Sequence, residues 1–594
     1  MALKLKVYQN GDHACLVWRP DNDQSIPSCR GFAIRRTRNG KSDYLHGFVG
    51  FSAEDKLDPQ APWKFPVQRY MWWDYTVDPG DQLQYEVVPV TGSAGNLALA
   101  PALGSGPSPR VTIGSAFAPH VSAYFNKGIL SAQWVSRALQ GVTDKQTILS
   151  LVATKGNALR NALSGLLRPA LLDLLAQARK GGGTIYACLY ELNDPELIQG
   201  LEALGKSCNL ILGNGAFKSN TAPDNDENRA ARRQLKGKVR LYNRIVKQGH
   251  FAHNKFVVFC DAAGQAQKVL TGSTNWTTTG LCTQTNNAIV IEDAKVAGAY
   301  LEAWNRLKDA KNDYPAALVT GNSRLQRATV DGFTVTPWFA RTSQAQELVQ
   351  ARQRIASARE GILFLFFNPG TFQEDPVRQT LLQNVLERHR AGGATYDPSL
   401  YLCGVVNQDI PRLTTVGPTG KTHAAGLDPA NPPPVMLYRN GYEDPTRLGH
   451  DVIVPHNIRE QFAAWAKELS GVSIVNVHSK VIVIDPFGAH PVLITGSHNL
   501  GFKASSANDD NLVIVEDSPG LAQAYAIHIL AIDQTYRWNH YVETHRKAAD
   551  AWHGPVDNDQ WQAGHLTGDD LKELQFWMGS GALAAAGGNG ARHH

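Results

Sequence analysis

A set of polar residues occurs twice in this chain at an almost constant separation, and that repetition limits its fold more than any other feature. His253-Asn-Lys255, Gly272-Ser-Thr-Asn275, Asn287 and Glu292-Asp293 recur as His478-Ser-Lys480, Gly496-Ser-His-Asn499, Asn511 and Glu516-Asp517, at separations of 225, 224, 224 and 224 residues. An offset held over about forty residues marks an internal duplication, and a period this long exceeds that of stacked solenoid repeats. Ala299-Tyr300 follows the first copy and Ala524-Tyr525 the second. Around both copies, amphipathic helices such as the one at Ala158 to Leu167 alternate with short apolar strands such as Thr184 to Tyr190, which is α/β patterning. The prediction is two similar α/β halves facing each other across a pseudo-two-fold axis. The boundary is expected where Asn312-Asp-Tyr-Pro315 and Thr320-Gly-Asn-Ser323 interrupt the helical pattern.

Ahead of the halves, residues 1–113 read as short alternating runs separated by turns, the pattern of an all-β sandwich. Trp18-Arg-Pro-Asp21, Gly31-Phe-Ala-Ile34 and the run from Val77 to Val87 resemble a fibronectin type III domain, in which Trp18 would be the core tryptophan and Tyr85 the corner tyrosine. A Gly/Pro/Ser-rich segment at 100–109 ends it. The predicted organisation is therefore 1–113, a fibronectin type III-like sandwich; 114–320 and 321–550, the two α/β halves; and 551–594, a C-terminal extension. Its last residues, 584–594, are small and polar and are expected to form a tail without a metal site.

Each copy places His and Lys two residues apart, on one face of a strand, so an imidazole and an ammonium stand side by side. The glycine of Gly-Ser-x-Asn permits a tight strand end, leaving a hydroxyl and an amide for the same small anion. Doubled, the set is His253, Lys255, Ser273, Asn275, His478, Lys480, Ser497 and Asn499, an inventory that suits one phosphate diester. The lysines and asparagines would stabilise charge on the non-bridging oxygens, one imidazole would attack phosphorus, and the other would protonate the departing oxygen. The course expected is a phosphohistidine intermediate followed by attack of water or an alcohol. Glu292 and Glu516 are the candidates for orienting the rings through their other nitrogens. Each His has a Lys neighbour and no second ligand at zinc spacing, so neither a metal nor any other cofactor is expected.

These residues resemble the phospholipase D superfamily, whose signature is His-x-Lys-x-x-x-x-Asp followed by Gly-Ser-x-Asn, with two copies per chain in its lipid-cleaving members. The resemblance extends over about 115–545. The second copy, His478 to Asp485, matches in full; in the first, Cys260 occupies the aspartate position and Asp261 lies one residue late. The resemblance implies that His253 is the nucleophile and that Asp485 supports the second half. It also implies a metal-independent phosphodiesterase acting on phospholipids at a membrane surface, as a monomer with an internal pseudo-dimer; hydrophobic anchors of the cardiolipin synthase branch are not seen.

The alternative partner is nucleic acid. The run from Arg229 to Lys247 is basic, with Tyr242 available for stacking, although the net charge is only +5 and global attraction to a polyanion is weak. A long segment at 407–450, with prolines at its middle, is expected to form a rim or lid. No apolar run approaches the roughly 20 residues that span a bilayer, and the N-terminal residues lack a Sec-type apolar core. The seven cysteines form no C-x-x-C pair and suggest a reducing compartment. The expected location is the cytoplasm, or outside the cell by a route that needs no Sec signal.

Overall fold

The computed structural model describes residues 2–128, 145–216, 226–407, 476–544 and 554–579, apart from 48–49, 53–54, 57, 59, 371–372, 374 and 390–392, together with short strands between 414 and 455. The proposed rim at 407–450 and the tail at 584–594 lie largely or wholly outside the described residues. The chain divides into two compact units: residues 1–115 with 359–361 and 544–594, and residues 116–358 with 362–543.

The first unit is all-β with a helical C-terminal addition. Leu3–Gln9, Ala14–Pro20 and Met71–Asp74 form one antiparallel sheet; Lys41–Leu45, Cys29–Arg38, Gln82–Ser93 and Asn96–Leu99 form the other in that order, with Val111–Thr112 paired to Gln82–Ser93. Trp18 is fully buried and meets Phe32 edge-on, with ring centroids 5.5 Å apart. The Tyr85 hydroxyl donates to Asp74 (2.9 Å), whose carboxylate also takes Arg36 (2.9 Å), so the buried phenol and carboxylate are both satisfied. Of the C-terminal segment separated on sequence as 551–594, the described residues 554–579 pack into this unit. Trp561 stacks on Tyr70 and donates to the Cys29 carbonyl (3.0 Å), buried Gln562 bonds both backbone groups of Ile26, and the Tyr8 hydroxyl reaches the carbonyl of Trp577 (2.6 Å). Aromatic area and a matched amide hold the segment in place, and neither leaves a periodic trace in sequence.

The second unit contains two large mixed sheets. In the first, the order is Arg240–Arg244, Cys208–Gly213, Thr184–Leu189, Lys255–Cys260, Ala266–Gly272, Asn287–Ile291, Val121–Phe125 and Ala116–Ala118. The second runs Val452–Pro455, Tyr401–Val406, Gly361–Phe366, Val481–Ile484, Val492–Gly496, Asn511–Glu516, Phe333–Phe339 and Ala328–Val330, with Val435–Tyr438 added beyond the first of these. Strand for strand the order is the same, so the sequence duplication is also a duplication of topology. Gly361–Phe366 and Val481–Ile484, at the centre of the second sheet, are wholly apolar and buried, as expected where both faces of a sheet are covered. Ile362, Phe364, Ile482, Ile494 and Ile514 belong to one core cluster with Leu348 and Ile355 of the helix Gln346–Ser357.

After the third strand of the first copy, Asp293 caps the helix Ala294–Ala310 through the N–H groups of Lys295 and Val296 (2.9 Å each). This helix and its counterpart Pro519–Thr544 each send a buried tyrosine to the other half: Tyr300 donates to Asn511 (3.3 Å) and Tyr525 to Asn287 (3.2 Å). On the second helix His528 is buried against Phe125, ring centroids 4.2 Å apart, and neither ring nitrogen has a partner among the described residues. Burial pushes its pKa down to about 3. Between that value and the unfolded value of about 6.5 the unfolded chain holds the extra proton, so stability is present above about pH 6.5 and declines as pH falls, by up to about 1.4 kcal/mol per pH unit from this residue. His528→Leu is expected to flatten the acid side of the melting temperature–pH curve at little cost near neutrality, because the leucine leaves no polar group unpartnered. An unchanged acid slope would contradict this.

Candidate active site

The antiparallel register brings three chain segments to one edge of each sheet. Lys255–Cys260 starts there; its neighbour Ala266–Gly272 ends there, with Val257 opposite Leu270; and Asn287–Ile291 starts there, with Gly272 opposite Ala288. Val481 opposite Thr495 and Gly496 opposite Leu512 repeat this arrangement. The glycines are required by close approach. Gly272 (φ +153°) and Gly496 (φ +140°) lie against the carbonyls of Asn287 and Asn511, where an added Cβ would be 2.3 and 2.4 Å from oxygen. The next residues, Ser273 and Ser497, donate their backbone N–H groups to those same carbonyls (3.1 and 3.0 Å).

The two edges are joined by equivalent backbone bonds. His253 N–H donates to the Asp509 carbonyl (2.8 Å), and His478 N–H to the Thr285 carbonyl (3.1 Å). His253, Lys255, Asn275, His478 and Lys480 are all at least nine-tenths buried. Each lysine ammonium donates to the carbonyl of its own histidine and lies over an aromatic face, Lys255 over Tyr190 (4.7 Å) and Lys480 over Phe367 (4.5 Å). Two of the three N–H groups on each ammonium have no hydrogen-bond partner among the described residues, and the buried Oδ1 atoms of Asn275 and Asn499 have none either. This is unspent polar capacity that a ligand can meet.

The rings are held crosswise. His253 Nδ1 lies 2.7 Å from Asp510 of the second half, and His478 Nδ1 lies 2.8 Å from the amide oxygen of Asn286 of the first. Ser497 donates to Asp510 (2.7 Å) and Ser273 to Asn286 (2.8 Å), so both serines brace the ring partners. Glu292 and Glu516, the expected ring-orienting carboxylates, do not touch the histidines: Glu292 pairs with Lys268 (3.1 Å) and Glu516 with Arg354 (3.2 Å). The reason is strand length. Both glutamates lie at the far end of a strand whose near end carries Asn287 or Asn511, roughly 15 Å away at about 3.3 Å per residue. The residue just before each of those asparagines occupies the ring-facing position, a signal present in the duplicated pattern but not used in the sequence analysis.

Asp485 likewise stands beyond the far end of Val481–Ile484, with φ +47° in a turn closed by Gly488 N–H to its carbonyl. In the first half Cys260 ends its strand, buried, its thiol pushed up to about 11 by burial, and Asp261 stands where Asp485 does, in a turn closed by Gly264 N–H to its carbonyl (3.0 Å), and accepts from Gln265 N–H (2.9 Å). Sequence reasoning also missed Glu191, which accepts from the Asn275 amide (2.7 Å).

Burial, then the lysines, disfavour a charge on either ring. His253 is pushed down to about 4 by burial and by Lys255, against the pull of Asp510. His478 is held well below the usual imidazole range by burial, Lys480, Lys255 and His253. Burial also lowers Lys255 to about 7 and moves Lys480 well down. For Asp510 burial raises the carboxyl, but the charge and hydrogen bond of His253, with His498 and Lys255, together hold the group below its ordinary value. An arriving diester anion reverses the sign of these effects, favouring protonated lysine and imidazole.

Residues 171–308 match the family model described as cardiolipin synthase, PLD-like domain, so the first half carries a PLD-like domain that includes His253, Lys255 and the first Gly-Ser-x-Asn. No curated protein sequence matches the chain. Among solved structures, the chain is similar to polyphosphate kinase from Porphyromonas gingivalis, with 12% identity over 58% of this chain, 42% of that one and a TM-score of 0.34; it thus spans less than half the length of that kinase. It is similar to phosphatidylserine synthase from Haemophilus influenzae Rd KW20, with 12% identity over 71% of this chain and 94% of that one, TM-score 0.38. It is also similar to Nuc, a phospholipase D family member from Salmonella typhimurium, with 21% identity over 25% of this chain and 91% of that one, TM-score 0.19.

Proposed function

We propose that the second unit is a metal-independent phosphodiesterase of phospholipase D type that cleaves phospholipids through a phosphohistidine. The observation that carries this reading is the crosswise pair of buried histidines, each anchored at Nδ1 by the other half and accompanied by a lysine with unspent N–H groups. Anchoring at Nδ1 leaves Nε2 of each ring as the reactive atom. The site then works as a pseudo-dimer within one chain: His253 attacks phosphorus, the lysines and the Nδ2 amide N–H groups of Asn275 and Asn499 stabilise the equatorial oxygens, and His478 moves the proton. His253 is the better nucleophile because bond formation places positive charge on its ring, which Asp510 stabilises. The matched strand order of the two sheets supports the pseudo-two-fold reading, and the three-plus-five strand arrangement around Trp18 and Tyr85 supports a fibronectin type III-like reading of 1–113.

A nucleic-acid diester fits the same chemistry. However, the basic run that would hold its backbone spends Arg232 on Asp226, Lys238 on Glu202 and Arg244 on Asp509, all within the fold. Among the described residues no helix is long and apolar enough to cross a membrane.

The test offers phosphatidylcholine vesicles and DNA in parallel, with EDTA and about molar ethanol. A phosphoenzyme waiting for a nucleophile partitions between water and a small primary alcohol, so part of the product is expected as phosphatidylethanol, at a rate EDTA does not alter. DNA cleavage without any phosphatidylethanol would transfer the site to nucleic acid, and EDTA-sensitive activity restored by a metal would overturn the mechanism.

A further inference from the structure

The two histidines have chemically unequal partners. Asp510 is a carboxylate that takes His253, the Ser497 hydroxyl and the Asn508 amide (3.2 Å). Asn286 offers only a neutral amide, and its orientation is fixed: Nδ2 donates to the Gly280 carbonyl (2.9 Å), while Oδ1 accepts from Ser273. The serine has no freedom to reverse this, because its oxygen already accepts from both the backbone N–H (3.1 Å) and Nδ2 (3.4 Å) of Asn287. His478 must therefore present Nδ1–H to Asn286 and keep an Nε2 lone pair for the site.

The charged or titratable groups that act on His478 are Lys480, Lys255 and His253; the carboxylates Glu191 and Asp510 act on Lys480. The elements packed against the ring contribute Phe367, edge-on at 4.5 Å, the Asn286 amide, and the backbone of Ser273, a neutral acceptor that favours the protonated ring. An imidazolium at 478 thus has no directly bonded anion, whereas one at 253 has Asp510.

We propose that Asn286 is a positioning residue that makes His478 the proton-transfer group of the site, fixing the ring's tautomer while withholding the carboxylate that would stabilise its cation. The inference rests on the phosphohistidine reading above. In the first half-reaction the bond from His253 Nε2 to phosphorus forms, the bond from phosphorus to the leaving oxygen breaks, and that oxygen takes its electron pair and the proton from His478 Nε2. In the second, water attacks phosphorus and gives a proton to His478 Nε2, and the electron pair of the P–N bond returns to His253. A weakly stabilised imidazolium donates readily in the first step, and the neutral ring it leaves is the base for the second.

The test uses the full chain and bis(4-nitrophenyl) phosphate, whose first leaving group departs without a proton. A burst of 4-nitrophenol then reports attack by His253, and the steady state reports phosphoenzyme breakdown, with His478 as base. A base must be deprotonated, so the steady-state rate falls as pH drops through its pKa. Asn286→Asp supplies the missing carboxylate and is expected to move that acid limb up by about one pH unit or more while leaving the burst rate unchanged. A burst with the limb unmoved, or burst and steady state slowed alike, overturns the inference and leaves the phosphohistidine reading standing. Absence of both burst and acid-labile adduct in the unaltered protein would instead remove that reading, and the inference with it. Should Asn286→Asp fail to fold, Asn286→Ala is expected to retain the burst and slow the steady state about tenfold or more; equal losses in both phases overturn the inference.

Discussion

Replacing His253 or His478 by alanine is expected to lower phospholipid turnover by at least about a thousandfold in each case, with the double variant little worse than the poorer single one. The two rings act on one phosphorus as a unit, so removing either leaves the other without its half of the reaction. His253→Ala deletes the atom that forms the covalent bond. His478→Ala leaves an alkoxide to depart unprotonated and the phosphoenzyme to wait for water without a base. Acid-labile phosphoryl label trapped during turnover should therefore be found on His253 and should persist longest in His478→Ala. A variant that keeps near-original turnover would remove that histidine from the site, and label on His478 in the unaltered protein would exchange the two roles.

Gly272→Ala and Gly496→Ala are expected to cost about a hundredfold in turnover and a measurable fall in melting temperature, although neither glycine bears a reactive group. A methyl at either position would lie 2.3 or 2.4 Å from the carbonyl of Asn287 or Asn511, and φ of +153° or +140° is a conformation that L side chains rarely adopt. Relief requires the strands to part. Because the displaced strand end carries Ser273 or Ser497, which braces the partner of one histidine, the ring moves with it. A shift of about 1 Å at a reacting group is enough for a hundredfold loss, and overpacking of this kind costs about 1–3 kcal/mol in stability. The fall in turnover should exceed what the loss of folded protein accounts for, measured by comparing active-site burst amplitude with the folded fraction. Alanine variants with original activity would show that the third strand can yield without disturbing the rings.

Much of the second unit was legible because its signals are local. The two-residue spacing of His253 with Lys255, and of His478 with Lys480, pointed to a shared face, although of the four only Lys255 lies within a strand and the others precede Lys255–Cys260 or Val481–Ile484; Gly-Ser-x-Asn carries its own turn requirement. The constant offset between copies then foretold that whatever one half built, the other would build too, and the matched strand order follows from it. The same reasoning misassigned the ring partners. Glu292 and Glu516 attracted attention as duplicated carboxylates, yet a strand of five or six residues separates its two ends by more than any side chain can bridge. The C-terminal segment 554–579 escaped for a related reason, since its place against the β unit depends on Trp561, Gln562 and Trp577 meeting residues more than five hundred positions earlier.

The order of residues along this chain therefore specified a duplicated α/β pair preceded by an all-β region, and named the histidines, lysines, serines and asparagines that the fold gathers at one place. Which half holds which ring was settled by the meeting of two sheet edges. Asp510 reaches His253 across 257 residues of chain and Asn286 reaches His478 across 192, and each contact depends on backbone bonds between segments that no local periodicity relates. Hydrogen-bond satisfaction in a buried, low-dielectric site then selected these partners, because an imidazole enclosed there needs an acceptor at Nδ1 within about 3 Å, and only the neighbouring half places one at that distance.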